Sequence, residues 1–219
     1  MITLENIEFA WAGDGFALNI EKFDIAAGEQ VAIIGASGSG KTTLLNLIAG
    51  VIVPARGQIK VAGETVSALS DTERRAFRSK KVGFVFQDFR LLDYLNVLDN
   101  IVLPYRISPV LRLDREVIDR AGTIAEQMGI ADKLRRRVQA LSHGERQRVA
   151  ICRALVTSPD LVLADEATGN LDPKTKHRII DALLELSGER DATVVAVTHD
   201  YELLPKFGRT IDVSSLQTA

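Results

Sequence analysis

The chain has 219 residues and a nearly balanced charge, with 27 Lys and Arg against 29 Asp and Glu and a formal net charge of −2. Hydrophobic residues make up 46% of the composition and charged residues 26%, which is typical of a folded globular protein and excludes a disordered or fibrous one. The small net charge gives no reason to expect a nucleic acid partner. The length suffices for one large domain with a substantial core.

The sequence predicts a protein of a reducing compartment without a membrane span of its own. Cys152 is the only cysteine, so no intramolecular disulfide can form. No apolar run approaches the roughly 18–20 residues that a spanning helix needs, and residues 1–6 lack the basic-then-apolar pattern of a signal peptide. We therefore expect a cytoplasmic location, with any membrane span supplied by other polypeptides.

The first 30 residues predict a small antiparallel β subdomain. Three segments are short or alternate between apolar and polar residues, and glycine-containing turns separate them: 2–9, 16–20 and 23–25. Trp11 lies in this region and is the only tryptophan. It is either a partly buried hydrophobe or a flat surface on which a base can stack.

A phosphate-binding loop follows an apolar run at 31–34, which predicts a buried strand. The loop reads Gly35-Ala36-Ser37-Gly38-Ser39-Gly40-Lys41-Thr42, matches G-x-x-x-x-G-K-[ST], and leads through Thr43 into a helical pattern. Glycines let backbone N–H groups turn toward a polyphosphate, and the helix N-terminus adds partial positive charge. Lys41 supplies a charge for the outer phosphates, and the Thr42 hydroxyl can ligate Mg²⁺. The alternative is a glycine-rich turn without a ligand.

The rest of the chain alternates apolar strands with helices. Continuous apolar strands between helices predict a parallel sheet that is covered on both faces. Residues 88–140 have dense but irregularly spaced apolar residues and predict an inserted helical lobe, which reaches to about residue 155 with the helix that follows. The remaining predicted elements are helices at 70–79, 115–128 and 174–187 and strands at 58–61, 82–86, 161–164 and 193–198.

Two local patterns lie at the end of this lobe. Residues 133–137 read Lys-Leu-Arg-Arg-Arg and predict a solvated helix face or helix end. Ser142 is a natural N-cap and Glu145 lies three positions on, so the pair predicts a capping box at the start of a helix that runs to Val156. We expect Cys152 on this helix to be a small core residue.

Polar groups stand at the ends of four predicted strands. The phosphate loop follows the first strand, Gln87 the second, Asp165 and Glu166 the third, and His199 the fourth. Ligands of open α/β sheets bind at the carboxyl ends of the strands, so we expect these groups to converge on one nucleotide. Each group also has a structural alternative, because an Asp-Glu pair often caps a helix and a single His is more often structural.

The chemistry of these side chains suggests their roles. Asp165 is placed to hold the Mg²⁺ shell together with Thr42. Glu166, as an uncoordinated carboxylate beside the terminal phosphate, can polarise a water for attack. His199 can contact that phosphate or the water, and the Gln87 amide can both donate and accept, as a catalytic group or at the Mg²⁺.

The order of these motifs resembles that of ATP-binding-cassette (ABC) ATPases over nearly the whole chain. Leu141-Ser142-His143-Gly144-Glu145 is similar to the family signature, which separates this family from other phosphate-loop proteins. Residues 86–92 and 163–172 resemble the branch that contains lipoprotein-release, macrolide-efflux and cell-division ATPases. The segments that carry the family resemblance are 35–42, Gln87, 141–145, 161–166, Asn170-Leu171-Asp172 and His199.

The resemblance implies an α/β fold of the P-loop NTPase (RecA-like) type. It implies a parallel sheet core, an N-terminal antiparallel β subdomain and an inserted α-helical subdomain at about 88–155, all within one nucleotide-binding domain over 1–219. It further implies ATP and Mg²⁺ as ligands. The partners that it implies are a second copy of the chain or a homologous ATPase subunit, and membrane-spanning permease subunits reached through Gln87 and residues 88–103.

The family arrangement is a head-to-tail dimer with two ATP molecules at the interface. Each site takes its phosphate loop, Asp165, Glu166 and His199 from one subunit. The other subunit supplies the signature residues in trans: Ser142, His143, Gly144 and Glu145. By the same resemblance, Asp172 lies near the dimer axis and Trp11 stacks on the adenine.

Two positions depart from the family pattern. His143 stands where the signature usually has its first glycine, and Ala167 stands where a proline usually follows the catalytic glutamate. Gly144, whose backbone must approach the γ-phosphate most closely, is retained. We therefore expect the cross-site contact with ATP to survive, and we expect the loop after Glu166 to be looser.

The resemblance implies an ATP-hydrolysing subunit that powers a membrane transport or extrusion complex. A regulatory ABC ATPase that acts on a membrane protein without moving substrate is the alternative, and the ATP site does not distinguish the two. Soluble cassette proteins of DNA repair or translation usually carry coiled-coil insertions or paired cassettes, which this sequence lacks. A phosphate-loop kinase does not explain residues 141–145.

Overall fold

The computed structural model describes residues 1–11, 13, 15–169 and 171–216. Within these ranges the chain forms an antiparallel sheet and a parallel sheet. The antiparallel sheet has the order β2-β1-β4-β5 and consists of β1 (Ile2–Ala10), β2 (Ala17–Ile25), β4 (Arg56–Val61) and β5 (Glu64–Thr65). The parallel sheet has the order β6-β7-β8-β3-β9 and consists of β3 (Gln30–Ile34), β6 (Val82–Val85), β7 (Leu161–Asp165), β8 (Thr193–Val197) and β9 (Arg209–Asp212).

Helices cover the parallel sheet and form a lobe between β6 and β7. The helices are α1 (Lys41–Ile48), α2 (Asp71–Lys81), α3 (Val97–Ile101), α4 (Leu103–Ile107), α5 (Arg115–Gln127), α6 (His143–Leu155) and α7 (Pro173–Gly188). The predicted fold class, a parallel core with an N-terminal antiparallel sheet and inserted helices, is confirmed. None of the described helices is long and apolar enough to cross a membrane.

The N-terminal strands differ from the expectation in one respect. The segments 16–20 and 23–25 do not form two strands, because β2 runs unbroken from Ala17 to Ile25 and pairs with β1 along its whole length. The apolar alternation shifts in both strands near Asn6, whose φ is 51°. The local twist there changes which side chains face the core, so the sequence pattern is interrupted although the strand is not.

Alternate residues of the parallel strands enter two different cores. Leu161 and Leu163 of β7 belong to the core that contains α1 and the antiparallel sheet, whereas Val162 and Ala164 belong to the core that contains residues of α5, α6 and α7. A strand that is buried on both faces must be apolar at every position, which explains the continuous apolar runs in the sequence. Cys152 lies fully buried in the second core, as predicted.

Strand β6 and helix α6 are in close contact. A Cβ atom at Gly83 would lie 2.3 Å from the carbonyl oxygen of Ala154, so only glycine permits this approach. The chain leaves β6 directly into the segment that carries Gln87. We call residues 86–90 the Gln87 loop, and its position is thereby set against α6.

Capping boxes start α2 and α6. In α2 the hydroxyl of Ser70 accepts from the Glu73 N–H, and the Glu73 carboxylate accepts from the Ser70 N–H. Ser142 and Glu145 make the same reciprocal pair at α6. Both helix starts lie where the sequence predicts them, because the determinants of a cap are only three residues apart.

The basic cluster at 133–137 begins at a helix end, as predicted, but Lys133 is not solvated as expected. Its side chain is only 19% exposed and pairs with Asp132 at 3.0 Å and with Glu145 at 3.3 Å. A 3₁₀ turn ends at Lys133 and no helix continues from it through Arg137. Because a carboxylate on α6 faces this turn, the first cation of the run is drawn inward, while the arginines at 135–137 are exposed.

Candidate active site

The phosphate loop connects β3 to α1 through glycines in left-handed conformations. Gly38 has φ 76°, and Gly40, the N-cap of α1, has φ 94°. A Cβ atom at Gly40 would lie 2.7 Å from Cζ of Phe16. Gly40 is therefore required for two reasons: its φ is unfavourable for other residues, and the Phe16 ring leaves no room for a side chain.

Lys41 lies across the loop that precedes it. Its ammonium donates to the carbonyl oxygens of Gly35 at 2.9 Å and of Ala36 at 2.8 Å. The Lys41 side chain is buried, and these two backbone carbonyls fix the position of its ammonium group within the loop. The loop is also closed by the Ser39 N–H, which donates to the Ala36 carbonyl at 3.2 Å.

A pocket of about 430 Å³ opens over this loop. Its position at the carboxyl ends of β3, β7 and β8 is the one expected for a ligand of a parallel sheet. The residues that line it are Trp11, Phe16, Gly35, Ser37, Gly38, Gly40, Lys41, Thr42, Thr43, Glu166 and His199.

Two aromatic rings form one side of the pocket. Trp11 is 43% exposed, packs edge-on against Phe9 at 5.0 Å between centroids, and donates through Nε1 to the Thr43 hydroxyl at 3.4 Å. Phe16 lines the same pocket and was missed by the sequence reasoning, which treated it as part of a strand. The available signal was a second aromatic residue on the other side of the turn that follows Trp11.

Oxygen ligands of a kind suited to Mg²⁺ lie next to the pocket, which Thr42 lines and Asp165 does not. The Thr42 hydroxyl hydrogen-bonds the Asp165 carboxylate, and burial together with the charge of Glu166 raises the pKa of Asp165 against the opposing effects of Thr42 and Lys41. Among the described residues no cluster of three His, Cys, Asp or Glu side chains is present. One carboxylate with neutral oxygens fits Mg²⁺, which keeps waters and substrate phosphates in its shell.

Glu166 and His199 meet at the ends of neighbouring strands. Asp165 pairs with Val197, Glu166 follows this pair by one residue at the end of β7, and His199 follows it by two residues at the end of β8. Oε2 of Glu166 lies 3.4 Å from Nδ1 of His199. Glu166 has φ 47°, a left-handed conformation that costs about 1–2 kcal/mol for a non-glycine residue. Its N–H donates to the Val197 carbonyl at 3.1 Å. Strain of this kind at a polar strand end is typical of functional sites.

Gln87 approaches the same corner without lining the pocket. A Cβ atom at Gly169 would lie 3.7 Å from Nε2 of Gln87 and 3.8 Å from Oε2 of Glu166. The two side chains therefore border the same point above Gly169. Ala167 is buried next to Glu166, and its predicted effect on the looseness of this loop remains a prediction.

The signature segment lies at the N-terminus of α6. The Ser142 N–H bond is the main cause that holds the pKa of Glu145 below its ordinary value. His143 is exposed, and a Cβ atom at Gly144 would lie 3.1 Å from Cγ2 of Thr175, so Gly144 packs closely on α7. None of the described residues at 142–145 lines the pocket over the phosphate loop of the same chain.

Asp172 is the N-cap of α7. Its carboxylate accepts from the Thr175 N–H at 3.0 Å, and the hydrogen bonds from Thr175 hold the pKa of Asp172 below its ordinary value. The preceding Asn170, part of the family resemblance, lies outside the described residues. Asp172 and the signature thus stand on adjoining helix starts.

Comparison with known proteins gives a consistent result. The sequence profile described as ABC transporter matches residues 18–169. The chain is 42% identical over 187 residues to the lipoprotein-releasing system ATP-binding protein LolD of Hydrogenovibrio crunogenus, covering 85% of this chain and 80% of that protein. It is 45% identical over 197 residues to the macrolide export ATP-binding/permease protein MacB of Rhodopirellula baltica, covering 90% of this chain but only 28% of that protein.

Solved structures of the same shape include a cassette with nucleotide. The chain superposes on the dimeric, post-hydrolysis structure of the ATP-binding cassette MJ0796 bound to ADP and Pi with a TM-score of 0.86 and 33% identity, covering 99% of this chain and 94% of that one. A second dimeric structure of MJ0796 matches with a TM-score of 0.85 and 35% identity over 97% of this chain and 94% of that one.

Proposed function

The chain belongs to the ABC transporter family, and from that premise we propose that it is the ATP-binding and ATP-hydrolysing subunit of a membrane transport or extrusion complex. One observation carries the proposal. The phosphate loop, Glu166 and His199 share a pocket, while the signature residues 142–145 present a helix N-terminus outside it. A helix N-terminus is an anion-binding element, and one nucleotide seldom needs two of them from a single chain.

Two copies arranged head to tail complete the site. Ser142, His143, Gly144 and Glu145 of one copy then face the phosphate loop of the other, and Asp172 lies near the axis between them. The dimeric form of the MJ0796 cassettes supports this arrangement. The proposal takes residues 1–219 as one nucleotide-binding domain with a helical subdomain at about 88–155.

The residues of the pocket bind and orient ATP. Lys41 exchanges its two backbone carbonyl partners for β- and γ-phosphate oxygens, and the loop N–H groups and the N-terminus of α1 bind the remaining charge. Trp11 stacks on the adenine from its exposed position at the pocket mouth, with Phe16 beside it. Thr42, Asp165 and Gln87 would hold Mg²⁺, which when bound neutralises charge that develops on the phosphate oxygens.

Hydrolysis uses the corner formed by β7 and β8. Glu166 accepts a proton from the water that attacks the γ-phosphate in line. His199, 3.4 Å from Glu166, contacts the γ-phosphate and holds the carboxylate toward the water. Gln87 reaches the same corner from the Gln87 loop and joins the site to the helical lobe.

An apolar groove beside the Gln87 loop is the proposed contact with the permease. It has a volume of about 380 Å³, and its exposed wall includes Ile107, which is 72% exposed. Arg90 covers the Phe86 ring at 4.3 Å, so the groove adjoins the Gln87 loop. A cytoplasmic segment of the permease in this groove places the chain on the cytoplasmic face of a membrane. Other residues that line the groove include Phe84, Leu103, Pro104 and Arg153.

The role of Glu166 is tested by the Glu166→Gln variant. The expected result is nucleotide affinity within about twofold of the parent, turnover reduced at least about 100-fold, and an ATP-trapped dimer in size-exclusion chromatography. Undiminished turnover would exclude Glu166 as the base.

The role of the signature in trans has a matched control in the second capping box. Ser142→Ala and Ser70→Ala each remove one N-cap and are expected to cost about 1 kcal/mol of unfolding free energy. Only Ser142→Ala is expected to reduce ATP turnover and the yield of trapped dimer in the Glu166→Gln background. Equal turnover in the two variants would contradict the proposal.

A further inference from the structure

We propose that Lys176 is a positioning residue for hydrolysis, which ties the loop that carries His199 to the first turn of α7. The proposal rests on the roles of Glu166 and His199 given above. It concerns a side chain that belongs neither to the phosphate loop nor to the signature and that does not contact the nucleotide pocket.

Lys176 makes two ion pairs with the segment that follows His199. Its ammonium pairs with the carboxylate of Asp200 and, at 2.9 Å, with that of Glu202. The Lys176 side chain is only 13% exposed, so these pairs are partly shielded from water. The hydrogen bonds raise the pKa of Lys176 and hold the pKa of Asp200 below its ordinary value, which keeps both groups charged at neutral pH.

Asp200 is anchored on its other side by the backbone. Its N–H donates to the Thr198 hydroxyl at 3.0 Å, and its carboxylate accepts from the Glu202 N–H at 3.1 Å, where a 3₁₀ helix begins. The Thr198 N–H in turn donates to the Ile33 carbonyl at 3.1 Å. The residues on both sides of His199 are therefore held, and Lys176 supplies the tie that comes from another helix.

The His199 side chain depends on this backbone for its position. It is 61% exposed, and its imidazole faces Oε2 of Glu166 at 3.4 Å. With little packing around the ring, a shift of the backbone at Asp200 moves the imidazole relative to the carboxylate. Because a misplacement of about 1 Å can cost about 100-fold in rate, a tie at the adjacent residue has a direct effect on turnover.

Lys176 acts through the loop and not on the reacting atoms. Lys176, Asp200, Glu166 and His199 all line one small cavity of about 180 Å³. The Lys176 N–H donates to the carbonyl of Asp172, the N-cap of α7. Contacts through Lys176 thus connect Asp172, proposed to lie at the dimer axis, with the segment next to His199, proposed to contact the γ-phosphate. Movement of the start of α7 as the dimer closes would be transmitted to His199.

The test compares Lys176→Met with a matched control on the same two elements. Lys206 pairs with Asp181 at 2.5 Å and joins the 3₁₀ helix Tyr201–Lys206 to the same helix α7, away from the pocket. For Lys176→Met we expect kcat about tenfold below the parent with KM for ATP within about twofold. Lys176→Arg, which keeps the charge and donors, should restore most of kcat. Lys206→Met should leave both constants unchanged.

The outcomes separate this proposal from the proposed function. His199→Ala is measured alongside, and adding Lys176→Met to it should lower kcat no further if Lys176 acts through His199. A kcat for Lys176→Met within twofold of Lys206→Met, with His199→Ala impaired, would overturn the positioning role alone. Full turnover in His199→Ala would instead overturn the role of His199. A loss in Lys176→Met that Lys176→Arg does not recover would also overturn the positioning role.

Discussion

The imidazole of His143 packs edge-on against the phenyl ring of Phe89, with 5.6 Å between ring centroids and an interplanar angle of 67°. His143 is the first residue of α6, and Phe89 lies in the Gln87 loop, so the signature and that loop are in contact within one chain. The unusual residue of the signature therefore has a packing partner. The His143 ring packs on Phe89 of its own subunit, although His143 lies on the surface that is proposed to face the ATP of the partner subunit.

This contact predicts a measurable coupling between the two rings. In a double-mutant cycle of His143→Ala and Phe89→Ala, urea unfolding should give an interaction free energy of about 0.5–1 kcal/mol, the lower part of the range for aromatic pairs because His143 is exposed. ATP turnover of His143→Ala should stay within about threefold of the parent, because Gly144 and the helix N-terminus are retained. Additive single effects would show that the rings do not interact.

Arg153 holds the Gln87 loop from the other end of α6. Its guanidinium donates to the carbonyls of Phe89 at 2.6 Å and of Arg90 at 2.5 Å, and both residues have positive φ. Burial lowers the pKa of Arg153 to about 10, so it stays charged at pH 7. Arg153→Met leaves two carbonyls without these donors and should cost about 2–4 kcal/mol of unfolding free energy.

The matched control for Arg153 is an exposed arginine of the same lobe. Arg135→Met should change the unfolding free energy by less than about 0.5 kcal/mol in the same urea titration. A cost for Arg153→Met as small as that for Arg135→Met would show that the loop does not depend on the buried guanidinium.

Gly40 is predicted to tolerate no side chain. Gly40→Ala combines φ 94° with a Cβ 2.7 Å from the Phe16 ring, so it should lose about 1–3 kcal/mol of stability and most binding of a fluorescent ATP analogue. Gly122 of α5 has open space around it, and Gly122→Ala should gain about 0.5–1 kcal/mol. Thermal unfolding and nucleotide titration of both variants check the contrast. Normal binding by Gly40→Ala would refute the requirement.

Cys152 should be inert while the protein is folded. The thiol is fully buried, and burial raises its pKa, so almost no thiolate is present at neutral pH. Ellman's reagent should give no absorbance change in native buffer over the time in which the denatured chain reacts fully. Because the chain has one cysteine, the signal has a single origin. Stoichiometric labelling of the native protein would contradict the buried position.

The ion pair of Lys176 and Asp200 is predicted to stabilise the fold equally at all pH values around neutrality. Asp200 has a lowered pKa, so its contribution to stability is present above the ordinary pKa of about 4 and is lost as pH falls through the lowered pKa. Lys176 has a raised pKa, so its contribution to stability is present below the ordinary lysine pKa of about 10.4 and is lost as pH rises through the raised pKa. The difference in thermal midpoint between the parent and Lys176→Met should therefore be constant from about pH 5 to 9 and should shrink in acid.

Some features of the site are local and others are not. The strand–turn–helix context of residues 35–42 and the capping box of Ser142 and Glu145 are visible in the sequence, because a glycine φ or a cap is decided within a few residues. The full length of β2 could not be predicted from the sequence. Opposite Asn6 of β1, a local twist interrupts the apolar alternation of β2, although the strand itself continues. Phe16 was missed because nothing local shows that its ring lies against Gly40.

The sequence by itself determined the family, the order of the elements and which chemical groups end the strands. Only the tertiary structure decided which side chains hold those groups in place. Arg153 lies 63 residues from Arg90, and Lys176 lies 24 residues from Asp200. Such contacts depend on how α6 and α7 pack against the sheet, and a charge or aromatic ring carries no local signal of its distant partner. The chemistry of the site is therefore readable from motifs, whereas its positioning is a property of the packed fold.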